Sequence, residues 1–454
     1  METIASWLWN PMLSFIYLEM GLLVLILTGF AGWRYVIPAL PAIWNKRYQQ
    51  PEQAHDHERH IPPWRAFFTA LAASVGVGNL AGVGTAIHLG GPGALFWMWV
   101  SALAGLSFRM CSVWLGLRYQ GNDPESPLYA TPMAYIKPFV IGSWAWVPAA
   151  LAVLLMVKGF LTANLIQSNS VAHALQDELG LSNLLVAVSM AGLVAFVIMG
   201  GMRKIVDYSV TITPWMMLLY VGASLFILLS DPTRTMSILD LVVDHAFTPY
   251  SAAGGVIGYG VLQSLQFGVS RGIFSHASGI GVAPFLHASN HYSDRDNAFL
   301  AAFVPMVDTL IICSMTGLVV LSIGNWTEDN GAFLTTSAFQ SFYGDTGKIL
   351  IIACLVVFSF TTVINWAYYA ERCFQFLGGQ NVFMFRWSFI LVTFCGPFFP
   401  VKIIWSAADI IIGLVIILHL FPLLYVILLH RKAINNALQG NPIEKDYLSD
   451  YSKG

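Results

Sequence analysis

Two glycine-rich stretches hold the residue types with the most chemistry to offer. One reads Gly76-Val77-Gly78-Asn79, followed by Gly82 and Gly84. The other runs from Gly268 through Arg271, Phe274, Ser275, His276 and Gly279 to Gly281 and Pro284. Both lie in apolar runs, where each glycine costs roughly 1 kcal/mol relative to alanine in a helix interior. Such clusters point to helices broken in mid-membrane; close helix packing through small residues is the alternative. A break frees backbone N–H and C=O groups, which in a bilayer must find partners in a cavity or a ligand. Half-helix N-termini suit a carboxylate and unwound carbonyls suit a sodium ion. The chemistry on offer is therefore reversible binding of a carboxylate and a cation, which points to a secondary transporter. No paired carboxylates, nucleophilic triad or metal box lies at a plausible depth, which argues against an enzyme or a resident cofactor.

Individual side chains fill out this expectation. The first break offers the N–H groups of Gly76, Val77 and Gly78, with the Asn79 side chain beside them. Gln167 brings both an amide donor and a carbonyl acceptor to membrane depth; a helix–helix hydrogen bond is its other reading. Thr361 and Thr362 carry hard hydroxyl oxygens suited to a hard cation, although threonine in mid-helix also bonds back to its own helix. Trp366 is expected to close the cavity, and Asn365 to set its size or polarity. Phe274, Ser275 and His276 occupy the second break. Histidine titrates near neutral pH, so His276 either contacts substrate, links transport to protons, or is a buried ring bonded to backbone. Asp308, Asp409, Lys158 and Glu19 are charges at membrane depth, where charge is functional by default; the two aspartates read as helix braces. The Gly76-Val77-Gly78 run followed by Gly82 has neither the spacing nor the strand–turn–helix context of a nucleotide loop. His55, His57 and His60 read as a solvated loop rather than a metal site.

Composition dictates the elements that position these groups. The chain has 454 residues, 57% apolar and only 10% charged, against roughly 25% charged in an ordinary globular chain. A soluble protein, a disordered chain and a disulfide scaffold are all excluded. The net charge of −2 gives nucleic acid nothing to hold, and the five cysteines sit in or beside apolar runs without metal spacing. At roughly 20 apolar residues per crossing, spans fall near 12–33, 65–90, 93–117, 145–173, 184–200, 208–229, 252–288, 298–322, 349–371, 384–400 and 403–429. The eleven crossings orient themselves by charge. With the N-terminus outside, outer segments hold only Arg234, Lys348 and Lys402. Inner segments hold every other Lys and Arg except Lys158 and Arg271, which lie at membrane depth. That asymmetry follows the positive-inside rule and places the C-terminus in the cytoplasm.

Residues 1–33 then form an extra N-terminal span and 34–64 a cytoplasmic loop. Two five-span halves follow, 65–229 and 252–430, and 431–454 is a cytoplasmic tail. An odd number of spans reverses the direction of entry, so the two halves form an inverted repeat, each opening with a glycine-broken span.

The same residues carry a family resemblance. Gly90-Gly-Pro-Gly-Ala-Leu-Phe-Trp97-Met-Trp99 resembles the signature of the alanine or glycine:cation symporter family, and Gly76–Val83 is similar to that family's GTGNIAGV. Further matches are Asn164-Leu-Ile-Gln167-Ser-Asn169, Ala246-Phe-Thr-Pro249 with Gly254-Gly255, Arg271-Gly-Ile-Phe274-Ser275, Asp308–Cys313, Phe360–Glu371 and Trp405–Asp409, so the resemblance covers roughly residues 62–425. It implies an all-α, leucine-transporter-type fold with five plus five inverted helices and one added span. It also implies sodium-coupled uptake of a small neutral amino acid, alanine or glycine, across an inner membrane. Substrate would lie against Gly76, Val77, Gly78, Asn79, Gln167, Phe274, Ser275, His276, Thr362, Asn365 and Trp366. Sodium would lie against Ala73, Gly76, Thr361 and Thr362. The chain departs from the family pattern at Val77, Ser112, His276-Ala277 and Asn365, which keeps proton-coupled or uncoupled transport of another small zwitterion as the alternative. The sequence leaves the oligomeric state open.

Overall fold

The apolar runs are helices in the computed structural model, which describes residues 2–43, 62–119, 123, 126–248, 250–251, 258–288, 294–324, 326–327 and 331–439. The His55–His60 cluster, Gly254-Gly255, Lys46, Arg47 and the residues beyond 439 lie outside the described residues. After a short α1 (Glu2–Leu8), α2 (Pro11–Leu27) starts at an Asn10 cap whose side chain accepts the Met12 N–H. It turns by 72° into α3 (Ala31–Ala39). Helix α4 (Pro63–Ser74) and helix α5 (Gly78–Gly90) meet at 55° across the first glycine cluster. There follow α6 (Gly93–Tyr119), α7 (Gly142–Leu179), α8 (Asn183–Ile198) and α9 (Gly201–Ser230). A surface helix α10 (Pro232–Asp244) leads to the second half: α11 (Val261–His276), α12 (Asp294–Ile323), α13 (Ala332–Tyr343), α14 (Asp345–Phe376), α15 (Val382–Phe398) and α16 (Val401–Gln439).

Six of these helices are long and apolar enough to cross a membrane, and the two bent pairs raise the number to eight. Helices α8 and α15 are apolar but shorter. With α8, α15 and the broken α11, each of the eleven segments expected from the sequence contains helix. The expectation for 252–288 needs correction at its start. Tyr250–Ser251 pairs antiparallel with Gly258–Tyr259 as a small hairpin, and the helix begins only at Val261. Two short strands are thus the exception to an otherwise helical chain among the described residues.

Helix α6 is the centre of the bundle. Its most apolar stretch is 78% buried, against 28% for the peripheral α9, and it packs most extensively on α11 and α12. One buried cation joins all three helices. Arg109 on α6 donates from Nε to the Ala301 carbonyl (3.0 Å) and from Nη1 to the His276 carbonyl (3.0 Å). His276 ends α11, where carbonyls lack partners within the helix and the helix dipole favours positive charge. The chain leaves α11 through left-handed backbone at Ala277 (φ 50°), Gly279 (φ 80°) and Gly281 (φ 86°), which is why glycine recurs there. A single helical turn, Pro284–His287, completes the second broken span. The bundle end that bears the inner arginines is tied by Arg65–Asp207, Arg118–Asp294 and the paired bonds of Arg386 to Glu371.

Replacing Arg109 by Met leaves the buried Ala301 carbonyl without this donor and the His276 carbonyl with only the long bond from Ser278 Oγ (3.4 Å), at about 1–3 kcal/mol for an unpaired group. The variant should unfold at a clearly lower temperature in detergent, measured by tryptophan fluorescence; an unchanged unfolding temperature would remove Arg109 from its role.

Candidate substrate and ion site

The first break leaves α4 at Val75, whose backbone is extended (φ −71°, ψ 111°). Side chains satisfy the groups it frees. Asn79 Oδ1 accepts the Gly76 N–H (2.8 Å), and Gln167 Oε1 accepts the Val77 N–H (3.1 Å). From α14, the Thr362 hydroxyl donates to the carbonyls of Val75 (2.9 Å) and Ala72 (3.4 Å), while Trp366 Nε1 donates to that of Ala73 (3.0 Å). Only glycine fits at 76, because a Cβ there would lie 2.6 Å from Thr362 Oγ1 and 3.0 Å from Gln167 Oε1.

The second break is tied to the first through Asp308. Its carboxylate accepts from Asn79 Nδ2 (2.9 Å), Ser275 Oγ (2.7 Å) and Thr309 Oγ1 (2.9 Å), and it is wholly buried. Three hydrogen bonds from two helices and from its own neighbour fix this carboxyl group in place. Thr316 adds a bond to the Asn79 carbonyl (2.7 Å). Three π-helical turns, at Gly78–Gly82, Leu161–Leu165 and Met306–Cys313, bring these residues together. Such a turn rotates the side chains beyond it and is frequent at functional sites.

Between the breaks lies a cavity of about 20 Å³, lined by Ala73, Gly78, Lys158, Gln167, Ser275 and Thr362, with Phe274 and Trp366 among its walls. That is room for roughly one water. Above it Phe274 stacks on Trp405 (4.9 Å between ring centroids, 22°). Arg271 lies over the same Trp405 ring (5.0 Å) and makes paired bonds to Asp409 (2.7 and 2.9 Å). On the far side of this stack a vestibule of about 570 Å³ opens, lined among others by Thr85, His173, Asp177, Glu178, Lys402 and Trp405.

Of the residues singled out from sequence, Ala73, Gly78, Gln167, Phe274, Ser275, Thr362 and Trp366 meet at the cavity, with Gly76, Val77 and Asn79 bonded into the same cluster. Three do not face it. His276 Nδ1 accepts the Ser278 N–H (3.1 Å), so Nε2 carries the proton toward Ser101 Oγ (3.2 Å), and both ring nitrogens are committed away from the cavity. Asn365 Nδ2 ties α14 to Ser209 on α9 (2.8 Å) and to the Thr361 carbonyl (2.8 Å). Thr361 bonds back to Phe358 of its own helix (3.0 Å). The oxygens that converge on Thr362 also differ from the expected set: they come from Ala72 and Val75, whereas the Ala73 carbonyl is taken by Trp366. Sequence reading did not place Thr162, Ser74 or Ala163 in the cavity wall, nor Trp405 in the stack above it. The signal for Thr162 was there, one helical turn beyond a lysine in an apolar helix.

The chain matches the sequence model of the sodium:alanine symporter family over residues 1–445. It is 34% identical to an uncharacterized transporter of Haemophilus influenzae, covering 96% of this chain and 94% of that one. It is 32% identical to the sodium/alanine symporter AgcS of Methanococcus maripaludis, covering 96% of each. Among solved structures it is similar to MhsT in complex with L-phenylalanine, with a TM-score of 0.61 over 86% of this chain and 95% of that one, at 12% identity. The likeness in structure supports the leucine-transporter-type fold alone.

Gln167→Ala removes the acceptor of the Val77 N–H and a polar wall of the cavity, a loss of about 1–3 kcal/mol if that N–H stays buried and unpaired. Affinity for the transported amino acid, measured by ligand-dependent thermal stabilisation, should fall roughly 10-fold or more; a folded variant with unchanged affinity would place the substrate elsewhere.

Proposed function

The chain belongs to the sodium:alanine symporter family, and on that premise we propose that it imports a small neutral amino acid, alanine or glycine, together with sodium. It is a membrane transporter rather than an enzyme. The observation that carries the reading is the small cavity between two broken helices, separated by one aromatic stack from a wider vestibule. A site at the breaks within the bundle suits alternating access, in which the substrate is exposed to one face at a time. The relative AgcS, a sodium/alanine symporter by name, supports the same substrate and ion.

In this reading sodium lies where Thr362 Oγ1 meets the Ala72 and Val75 carbonyls, with Ala73, Gly76 and Thr361 next to them. Hydroxyl and carbonyl oxygens around an unwound segment are suitable donors for it. To admit the ion, the Thr362 hydroxyl turns its proton away and releases both carbonyls. Sodium is the coupling ion in this reading; the His276 ring, with both nitrogens bonded away from the cavity, gives proton coupling through that residue no support. One sodium crossing about 100 mV contributes roughly 2.3 kcal/mol, and a tenfold gradient adds about 1.4. Together they concentrate a neutral solute several hundredfold, so one ion per substrate is enough. The Phe274–Trp405 stack and the Arg271–Asp409 pair form the outer gate. The protein sits in the inner membrane with its N-terminus outside and its C-terminus in the cytoplasm.

The test is uptake of labelled alanine and glycine into proteoliposomes, under an inward sodium gradient and with potassium in its place. Accumulation that needs sodium is expected; accumulation driven equally well by a proton gradient without sodium would replace the coupling ion. Thr362→Val should raise the half-saturating sodium concentration at least 10-fold while the purified protein stays folded. An unaltered sodium titration would move the ion away from Thr362.

A further inference from the structure

We propose that Lys158 is the anchor for the substrate's carboxylate, an inference that rests on the cavity being an amino-acid site. Lys158 lies on α7 with its side chain buried. Its ammonium sits 3.7 Å from the centroid of the Trp366 ring and donates to Thr162 Oγ1 (3.2 Å), a hydroxyl whose own proton goes back to the Lys158 carbonyl (2.9 Å). Among the described residues it makes no ion pair with an Asp or Glu, in contrast to Arg271 and Arg386, which each hold a carboxylate. A buried ammonium without an anion is costly, and an aromatic face with one neutral hydrogen bond offsets that cost only in part.

Two of the backbone donors for a carboxylate at this site are already in use. The Gly76 N–H is held by Asn79 and the Val77 N–H by Gln167. Lys158 shares the cavity wall with Gln167, Ser275 and Thr362, and a cavity of about 20 Å³ admits an amino acid only if a wall residue moves. A lysine on a flexible four-carbon stem is the group that moves most cheaply. It swings off Trp366 onto the incoming carboxylate, and the exposed Trp366 face then meets the substrate's ammonium. The site thus selects amino acids over their amides.

Thermal unfolding of the purified full-length protein, at fixed sodium, tests this with the twenty amino acids and alaninamide as probes. Wild type should be stabilised by alanine or glycine and not by alaninamide. Lys158→Met should need at least 10-fold more of the same amino acid, and Lys158→Arg should recover part of the loss. Three results would overturn the anchor: alaninamide stabilising wild type as well as alanine does, no amino acid stabilising wild type, or K158M keeping its amino-acid affinity while only its sodium titration shifts. The last would make Lys158 a counter-charge to the ion. If alanine and glycine fail but another amino acid stabilises wild type, the assigned substrate falls, and Lys158 is judged on that other ligand. The alaninamide comparison needs no variant, so poor folding of K158M leaves the inference exposed to refutation.

Discussion

Backbone groups freed at the centre of a membrane must find partners, and the arrangement of this protein follows from meeting that demand twice. Both breaks reach the same carboxylate. Asp308 holds Asn79 from the first and Ser275 from the segment leading into the second, so a shift at either is felt at the other. Arg109 performs the matching task for the carbonyl end of α11 and fastens it to α6 and α12. A carboxyl group and a guanidinium, both deeply buried and both committed to backbone or short polar side chains, tie the halves together.

The site between the breaks is satisfied by its own side chains. Gln167 and Asn79 cover the freed amides, while Thr362 and Trp366 cover the freed carbonyls. Each of these bonds is worth about 1 kcal/mol net, comparable to what a ligand group would give in exchange. For these backbone groups, substrate and ion therefore replace partners of similar strength, and Lys158 is the one wall residue left without a counter-charge among the described residues. Exchange of one backbone partner for another lets binding stay reversible, as a carrier requires.

The bundle was legible in the sequence because its signals are compositional. Apolar runs, glycine clusters and the one-sided distribution of Lys and Arg needed no knowledge of packing. What was not legible was helix phase. Thr361 and Thr362 are neighbours in sequence, but successive residues point about 100° apart on a helix, so one faces the break and the other turns to Phe358. The same holds for Asn365, which faces α9, and for His276, which faces Ser101. Partners far apart in sequence were hidden for a second reason. Arg271 and Asp409 are separated by 138 residues, and only the folded chain shows that each is the other's counter-ion. The hairpin at Tyr250–Tyr259 was missed because its apolar residues run straight into those of α11.

The N-terminal span is more than an addition to the two repeats. Trp9 Nε1 donates to the Asp409 carbonyl (2.7 Å), beside the gate pair, and the Tyr17 hydroxyl reaches the carbonyls of Ser101 (3.4 Å) and Ser278 (3.5 Å) at the second break. A segment clipped to both places has to travel with them. The start of the chain is accordingly tied to the same two places that close over the site. A spin label or fluorophore attached there would follow the opening of the carrier without touching a residue that handles cargo.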